Sequence, residues 1–185
     1  MSLAAVATTG VSPLAQESNP TLALTSLLEQ VRDVIALLPT SVYLARPAAR
    51  VSGSVGEHVR HCLDHVLALV SVMAGEPLSY DCRVRGTTVE TDPRTAVTEI
   101  DRLSVRLDRM PACALNRPVS LSTRLDAACP ALTVRSTLAR ELAFVIQHTI
   151  HHCALIAVLL EWQGWQVPHG FGIAPSTTRA RAEAR

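Results

Sequence analysis

Lysine is absent from this chain, since all 17 basic residues among its 185 are arginine, against 16 acidic residues. Without lysine there can be no Schiff base and no lysine general base. Aromatic residues make up only 3% and the net charge is +1. Surfaces that bind nucleic acid need a basic stripe or stacking rings. The composition therefore argues against nucleic acid as a partner.

The chain also lacks the cysteine pattern of a secreted protein. Its five cysteines are scattered, odd in number and without a CxxC motif, which favours free thiols in a reducing compartment. No uninterrupted apolar run reaches the roughly 18 residues of a membrane span. The N-terminus has no basic region of an export signal. We expect a soluble, cytoplasmic protein with no membrane partner.

Helical periodicity and capping signals predict four long helices. Apolar residues recur at helical spacing in four segments, at residues 21–38, 55–74, 93–110 and 137–163. Ser54, followed three residues later by Glu57, predicts a capping box at the start of the second helix. Asp92 predicts an N-cap for the third helix, and Ser136 predicts one for the fourth.

The remaining segments complete the predicted fold. Residues 80–92 are polar and turn-rich, which predicts a long loop. Within residues 111–135, Val119 and Leu121 alternate with polar residues, and residues 132–134 could pair back as a small β-hairpin. We predict an all-α fold, a four-helix bundle with one long crossover and this hairpin between helices three and four. The domain prediction comprises a flexible leader, one helical domain and a frayed tail, at residues 1–19, 20–178 and 179–185.

Histidine is concentrated in two of the predicted helices, which hold six of the seven histidines. His148 and His152 lie four residues apart, so their imidazoles project from one face about one turn apart. A third ligand would come from the second helix, where His58, His61 and His65 share one stripe. Periodicity does not choose among these three. Together the two clusters predict a site for Zn²⁺, Ni²⁺ or a similar ion that accepts neutral imidazole.

Several residues near these clusters have competing interpretations. His151 is turned about 100° from the HxxxH face. We therefore expect it either to hydrogen-bond to a metal ligand without binding the ion itself or to be partly exposed to solvent. Thr149 follows His148, so the HExxH motif of zincins is missing. Glu57 and Glu141 could orient an imidazole, although a helix cap or an arginine partner is the more common role. Without metal, His148 and His152 would be core or surface histidines that are hydrogen-bonded to the backbone or to carboxylates.

Two pieces of the chain resemble the signature halves of the DinB-like superfamily. Residues 54–61, Ser-Val-Gly-Glu-His-Val-Arg-His, resemble the start of its first metal-binding helix, and residues 148–152, His-Thr-Ile-His-His, resemble its later HxxxH helix. Matched position by position, the resemblance implies a metal triad of His61, His148 and His152. It further implies a four-helix bundle, often a homodimer, that holds one divalent ion with open coordination positions. His58, His65 and His151 would then be alternative or supporting residues.

The resemblance also implies a class of chemistry. Some members of the superfamily are transferases or isomerases that use a low-molecular-weight thiol. An ion held by three imidazoles would lower the pKa of a bound thiol or water by several units. We therefore expect a metal-dependent thiol transferase or hydrolase that acts on a small molecule. The alternative is a non-catalytic binding or stress-response module whose metal site is structural or vestigial.

No catalytic or substrate-binding residue can be named from the sequence. Arg83 and Arg85 lie in the loop after the second helix, where they could clamp a carboxylate. Ordinary solvated arginines are the more common case at such positions. Tyr80, in the same loop, is interpreted in the same way.

Overall fold

The computed structural model describes three stretches of the chain, residues 19–46, 51–82 and 84–184. Of the predicted leader, residues 1–18 lie outside this part, as does Arg83. Asn19 is described, and its side-chain oxygen accepts hydrogen bonds from the backbone N–H groups of Thr21 and Leu22. The first helix begins at this cap.

Helices dominate the described part of the chain. They are α1 (Pro20–Ile35), α2 (Thr40–Leu44), α3 (Val55–Ser71), α4 (Thr88–Thr91), α5 (Pro93–Asp108), α6 (Leu138–Trp162) and α7 (Pro175–Glu183). The long helices α1, α3, α5 and α6 correspond to the four predicted segments. Both α1 and α3 pack against α5 and α6. The apolar stripes of these helices meet in one core.

Two of the predicted helix caps are confirmed. The Ser54 hydroxyl accepts a hydrogen bond from the Glu57 backbone N–H at 3.2 Å, and the Glu57 carboxylate accepts one from the Ser54 backbone N–H at 2.8 Å. This capping box starts α3. Asp92 caps α5, with Pro93 at the first helical position.

The start of α6 differs from the prediction by one residue. Thr137, and not Ser136, caps the helix by accepting a hydrogen bond from the Arg140 backbone N–H. The Ser136 hydroxyl instead donates to the buried Glu141 carboxylate at 2.6 Å. Both residues are small hydroxyl side chains, so the sequence alone does not distinguish between them as caps.

A small three-stranded sheet makes the all-α prediction incomplete. Its strands are β1 (Leu78–Ser79), β2 (Pro118–Thr123) and β3 (Leu132–Thr137). The predicted hairpin is confirmed, because β2 and β3 pair antiparallel with Leu121 opposite Val134. The sheet gains β1, which runs parallel to β2 and places Leu78 beside Leu121. The predicted loop over residues 80–92 also contains α4, since its last residues form one helical turn.

The first turn of α3 lies very close to α4. A Cβ atom at Gly56 would overlap the Glu90 carbonyl oxygen and stand 2.6 Å from the Tyr43 ring. The Tyr43 hydroxyl donates a hydrogen bond to the Val89 carbonyl at 2.8 Å, which joins α2 to α4. Glycine at this position therefore permits the contact between the three elements.

The C-terminal segment contains a further helix. The helix α7 continues to Glu183, into the region of residues 179–185 for which a frayed tail stays a prediction. Pro175 stands at its first position, and the arginines and alanines that follow are good helix formers. Its residues are exposed, so helix propensity and not burial accounts for this element.

The helix α6 is strongly apolar. Among the described residues it is the one helix that could cross a membrane by length and composition. Its polar residues interrupt the apolar run without lowering its mean hydropathy enough to exclude a span. The core helix of a soluble protein passes the same test, and 44% of the most apolar window is buried inside the protein. Leu142, Val145 and Ile156 are fully buried in the core.

Candidate metal centre

Five imidazoles meet where α3 packs against α6. They belong to His58, His61, His65, His148 and His152. Neighbouring ring centroids lie 4.3 to 5.1 Å apart. The spacing of three, four and seven residues on α3 and of four on α6 puts each set on one helical face. We call these five residues the histidine cluster.

Three residues of the cluster meet the geometric requirement for a metal site. His61, His65 and His148 each offer one ligand nitrogen, and these atoms lie within 4.8 Å of one another. The Nε2 atoms of His61 and His148 are 2.8 Å apart. Imidazole nitrogens bound to one ion at about 2.0–2.1 Å are themselves about 3 Å apart. The His61–His148 pair therefore already has about the spacing of two ligands of one ion, and His65 lies within 4.8 Å of both.

The backbone favours one tautomer of His65. This residue is buried, and its Nδ1 lies 2.9 Å from the carbonyl oxygen of His61, one turn earlier on α3. A carbonyl oxygen only accepts, so Nδ1 carries the proton of the contact. In the neutral ring, Nε2 then keeps the lone pair that an ion would bind.

The ring of Tyr80 packs against the ring of His65. The two rings stack with centroids 4.9 Å apart and planes 10° from parallel. The Tyr80 hydroxyl donates to the fully buried Glu141 carboxylate at 2.9 Å. Burial, and then the Glu141 charge, raise the pKa of Tyr80, so it remains a neutral phenol. No local sequence pattern indicates this role, because the partner of Tyr80 lies 61 positions away on another element.

The carboxylates near the cluster have the structural roles that the sequence favours. Glu57 closes the α3 capping box and pairs with Arg46 at 3.0 Å. Glu141 accepts hydrogen bonds from Ser136 and, at 2.8 Å, from Arg140. A cap and an arginine partner are therefore confirmed for these two residues.

His152 lies in the cluster but contacts a different partner. Its Nδ1 is 2.9 Å from Nδ1 of His58, and its ring centroid is 4.5 Å from that of His61 and 4.6 Å from that of His148. Burial, followed by the nearby His148, lowers the pKa of His152 to about 3. Burial also lowers the pKa of His58. Both rings are neutral near pH 7, the form in which imidazole binds metal.

The structure thus brings together the predicted ligands His61, His148 and His152, and it adds His65 at similar distance. The set within 4.8 Å contains His65 in place of His152, so the triad of His61, His148 and His152 stays a prediction. His151 is exposed and its ring centroid lies 5.4 Å from that of His152. It lies at the edge of the cluster, as its helical offset predicts.

Comparison with known proteins identifies the family. Residues 23–156 match the DinB superfamily, a stretch that includes all of α3 and the histidines of α6. The chain belongs to the DinB superfamily. This DinB-superfamily chain is also 34% identical over 101 residues to a protein named FK506-binding protein 5 from Rhizopus delemar. That match covers 54% of this chain and 26% of the other protein, so the chain spans about a quarter of that relative's length.

Proposed function

We propose that this DinB-superfamily protein binds one divalent transition metal ion in the histidine cluster. The observation that carries the proposal is the grouping of His61, His65 and His148 within 4.8 Å at the contact between α3 and α6. Zn²⁺ and Ni²⁺ are the ions we favour, because neutral imidazole suits both. We further propose that α1, α3, α5 and α6 constitute the four-helix bundle of the superfamily.

The proposed activity is that of a metal-dependent enzyme. When bound, the ion would act as a Lewis acid and lower the pKa of a thiol or a water molecule. The residues of this chain hold the ligands in place: the His61 carbonyl keeps the Nδ1 proton of His65, and Tyr80 stacks on that ring. The low pKa of His152 keeps a further imidazole neutral. These contacts favour a preorganised set of neutral ligands.

The proposed substrate is a small electrophilic molecule, with a low-molecular-weight thiol as cosubstrate or water in its place. Membership of the DinB superfamily supports this choice, since the resemblance implies thiol-dependent transfer reactions. We propose a thiol S-transferase first and a hydrolase second. A cytoplasmic location and a homodimer belong to the same proposal.

One observation favours a second, non-catalytic function. The ring centroid of His152 lies 4.5 Å from that of His61 and 4.6 Å from that of His148. The ring centroids of His61, His65 and His148 lie at similar distances from one another, 4.3 to 4.9 Å. Four imidazoles on Zn²⁺ would complete a tetrahedral shell, which is typical of structural sites, whereas catalytic sites keep one position open. The protein would then be a binding or stress-response module with a structural metal.

Metal titration of protein purified without an affinity tag tests the proposal. We expect about one Co²⁺ or Zn²⁺ per chain, and His148→Ala should weaken binding at least 100-fold because it removes a ligand. His151→Ala is the matched control on the same helix, and it should bind nearly as wild type. Failure of the metal-free wild type to bind either ion would overturn the proposal.

The absorption spectrum of the Co²⁺-loaded protein separates the two functions. Addition of a small thiol should produce a thiolate-to-cobalt charge-transfer band if a coordination position is open, and turnover of an electrophile should accompany it. A tetrahedral Co²⁺ spectrum that no thiol changes would instead favour the structural site.

A further inference from the structure

The contact between His58 and His152 contains one proton-bearing nitrogen and one acceptor. Their Nδ1 atoms lie 2.9 Å apart, at normal hydrogen-bond distance. A neutral imidazole carries a proton on one nitrogen and a lone pair on the other. The pair therefore has two alternative arrangements, which differ in the ring that donates.

These arrangements have opposite consequences for the metal centre. If His152 donates from Nδ1, its Nε2 keeps a lone pair and can bind the ion. If His58 donates, the proton of His152 sits on Nε2, and that nitrogen cannot bind while the ring is neutral. The tautomer of this pair thus decides whether His152 is a ligand.

We propose that His58 is a positioning residue that accepts the Nδ1–H of His152 and thereby leaves Nε2 of His152 available as a ligand beside His61 and His148. This inference rests on the metal binding proposed above. Metal-bound histidines commonly donate their second N–H to a carboxylate, a carbonyl or water. In this chain the neutral imidazole of His58 would be the acceptor of that hydrogen bond.

The surroundings of His58 are consistent with this role. The residue is buried in the first turn of α3, where its backbone N–H bonds to the carbonyl of the capping residue Ser54 at 3.2 Å. As an acceptor at Nδ1, the neutral ring must carry its proton on Nε2. That atom is buried without a hydrogen bond of normal geometry. A backbone contact with Ser52 opposes the larger lowering of the pKa of His58 by burial.

Nitrogen NMR of the wild-type protein tests the tautomers without any substitution. In ¹⁵N-labelled protein loaded with Zn²⁺, we expect His152 to be protonated at Nδ1 and metal-bound at Nε2, and His58 to be protonated at Nε2. A proton on Nε2 of His152, or a His152 ring that does not respond to Zn²⁺, would overturn the inference.

Two substitutions at the same position separate positioning from packing. In His58→Asn the amide oxygen can stand near the position of Nδ1 and accept the same hydrogen bond, whereas His58→Leu fills the space without an acceptor. We expect His58→Leu to weaken Zn²⁺ binding about 10- to 100-fold and His58→Asn to stay within a few-fold of wild type. Circular dichroism of both variants checks that they fold.

A double-mutant cycle with His152→Ala completes the test. If His58 acts through His152, His58→Leu should cost little further Zn²⁺ affinity once His152 is gone. Equal affinities of wild type and His58→Leu, or additive losses in the cycle, would overturn the inference while the proposed function stands. A wild-type protein that binds no Zn²⁺ would remove the proposed function itself.

Discussion

Two faces of α3 bury polar groups in different ways. Towards α4, the Arg60 guanidinium contacts the Glu90 and Asp64 carboxylates at 2.7 Å each, and its side chain is only 10% exposed. Towards α6, the contacts that the structure shows run from nitrogen to nitrogen, at His61–His148 and His58–His152. The first face joins opposite charges, whereas the second joins imidazoles that share the same ligand chemistry.

The difference separates a structural contact from a binding site on one helix. A buried charge is tolerated when it is paired and hydrogen-bonded, and the Arg60 network meets that condition with its own residues. On the face towards α6, a cation can bind those imidazoles that turn a nitrogen lone pair towards it. We call the two faces the Arg60 face and the histidine face of α3. We therefore expect the stability of the Arg60 face to depend on Glu90 and Asp64, and that of the histidine face to depend on bound metal.

Breaking the Arg60 network should have the largest effect. Arg60→Met would leave the partly buried Glu90 and Asp64 without their cation, and we expect a loss in the free energy of unfolding that approaches the value for a fully buried pair, about 3–5 kcal/mol. Chemical denaturation measures it. The control is Arg102→Met, whose arginine pairs with Glu99 at 2.6 Å but is 54% exposed, so we expect a change of about 0–1 kcal/mol. Equal losses in the two variants would contradict the distinction.

Metal should stabilise the histidine face by a somewhat smaller amount. At a free Zn²⁺ concentration 100 times the Kd, we expect the free energy of unfolding to rise by about 2.7 kcal/mol, because the ion binds the folded state. Differential scanning calorimetry with and without metal would show it. The increment should vanish in His61→Ala and persist in Arg60→Met. Loss of the increment in both variants would mean that the two faces are not independent.

The smallest expected effect is a pH dependence of the metal-free protein. Burial and nearby histidines lower the pKa of His152 from its ordinary value of 6.5 to about 3. Between these values the unfolded chain binds a proton that the folded chain does not, so the free energy of unfolding decreases as the pH falls below 6.5. We expect a lower Tm at pH 5 than at pH 7.

The matched variants for this pH dependence lie side by side on α6. His152→Ala should reduce the difference in Tm between pH 7 and pH 5, while the exposed His151→Ala should retain it. An unchanged pH dependence in His152→Ala would show that other groups cause it. The Arg60 face should add little, since arginine stays protonated throughout this range.

The sequence predicts the long elements of this fold well, because they carry periodic and capping signals. Ser54 and Asp92 cap the helices expected of them, and the alternation at Val119 and Leu121 corresponds to a real strand. The elements α2, α4 and β1 were missed because they have five, four and two residues. Elements this short contain about one period, too little for a repeating pattern to be recognised, and tertiary contacts hold them in place.

The site was predicted to the level of the helical face and no further. Helical spacing puts His58, His61 and His65 on one stripe, but it does not fix how deep each ring lies against α6. That depth follows from helix packing, which brings His65 level with His148. The stacking of Tyr80 on His65 depends on the path of the chain after β1, which no local pattern encodes.

Gly56 lies within residues 54–61, one of the two pieces that resemble the superfamily. Its contribution in the structure is to permit close packing of α3 against α4. Any side chain at this position would push against the Glu90 carbonyl and the Tyr43 ring. The displaced turn carries the Glu90 carboxylate, so Arg60 would lose a partner. The absence of a side chain at Gly56 thus allows Glu90 to pair with Arg60 on one side of α3, while the histidines lie on the other side. Residues 54–61 therefore include a glycine that close helix packing requires as well as histidines that could bind metal.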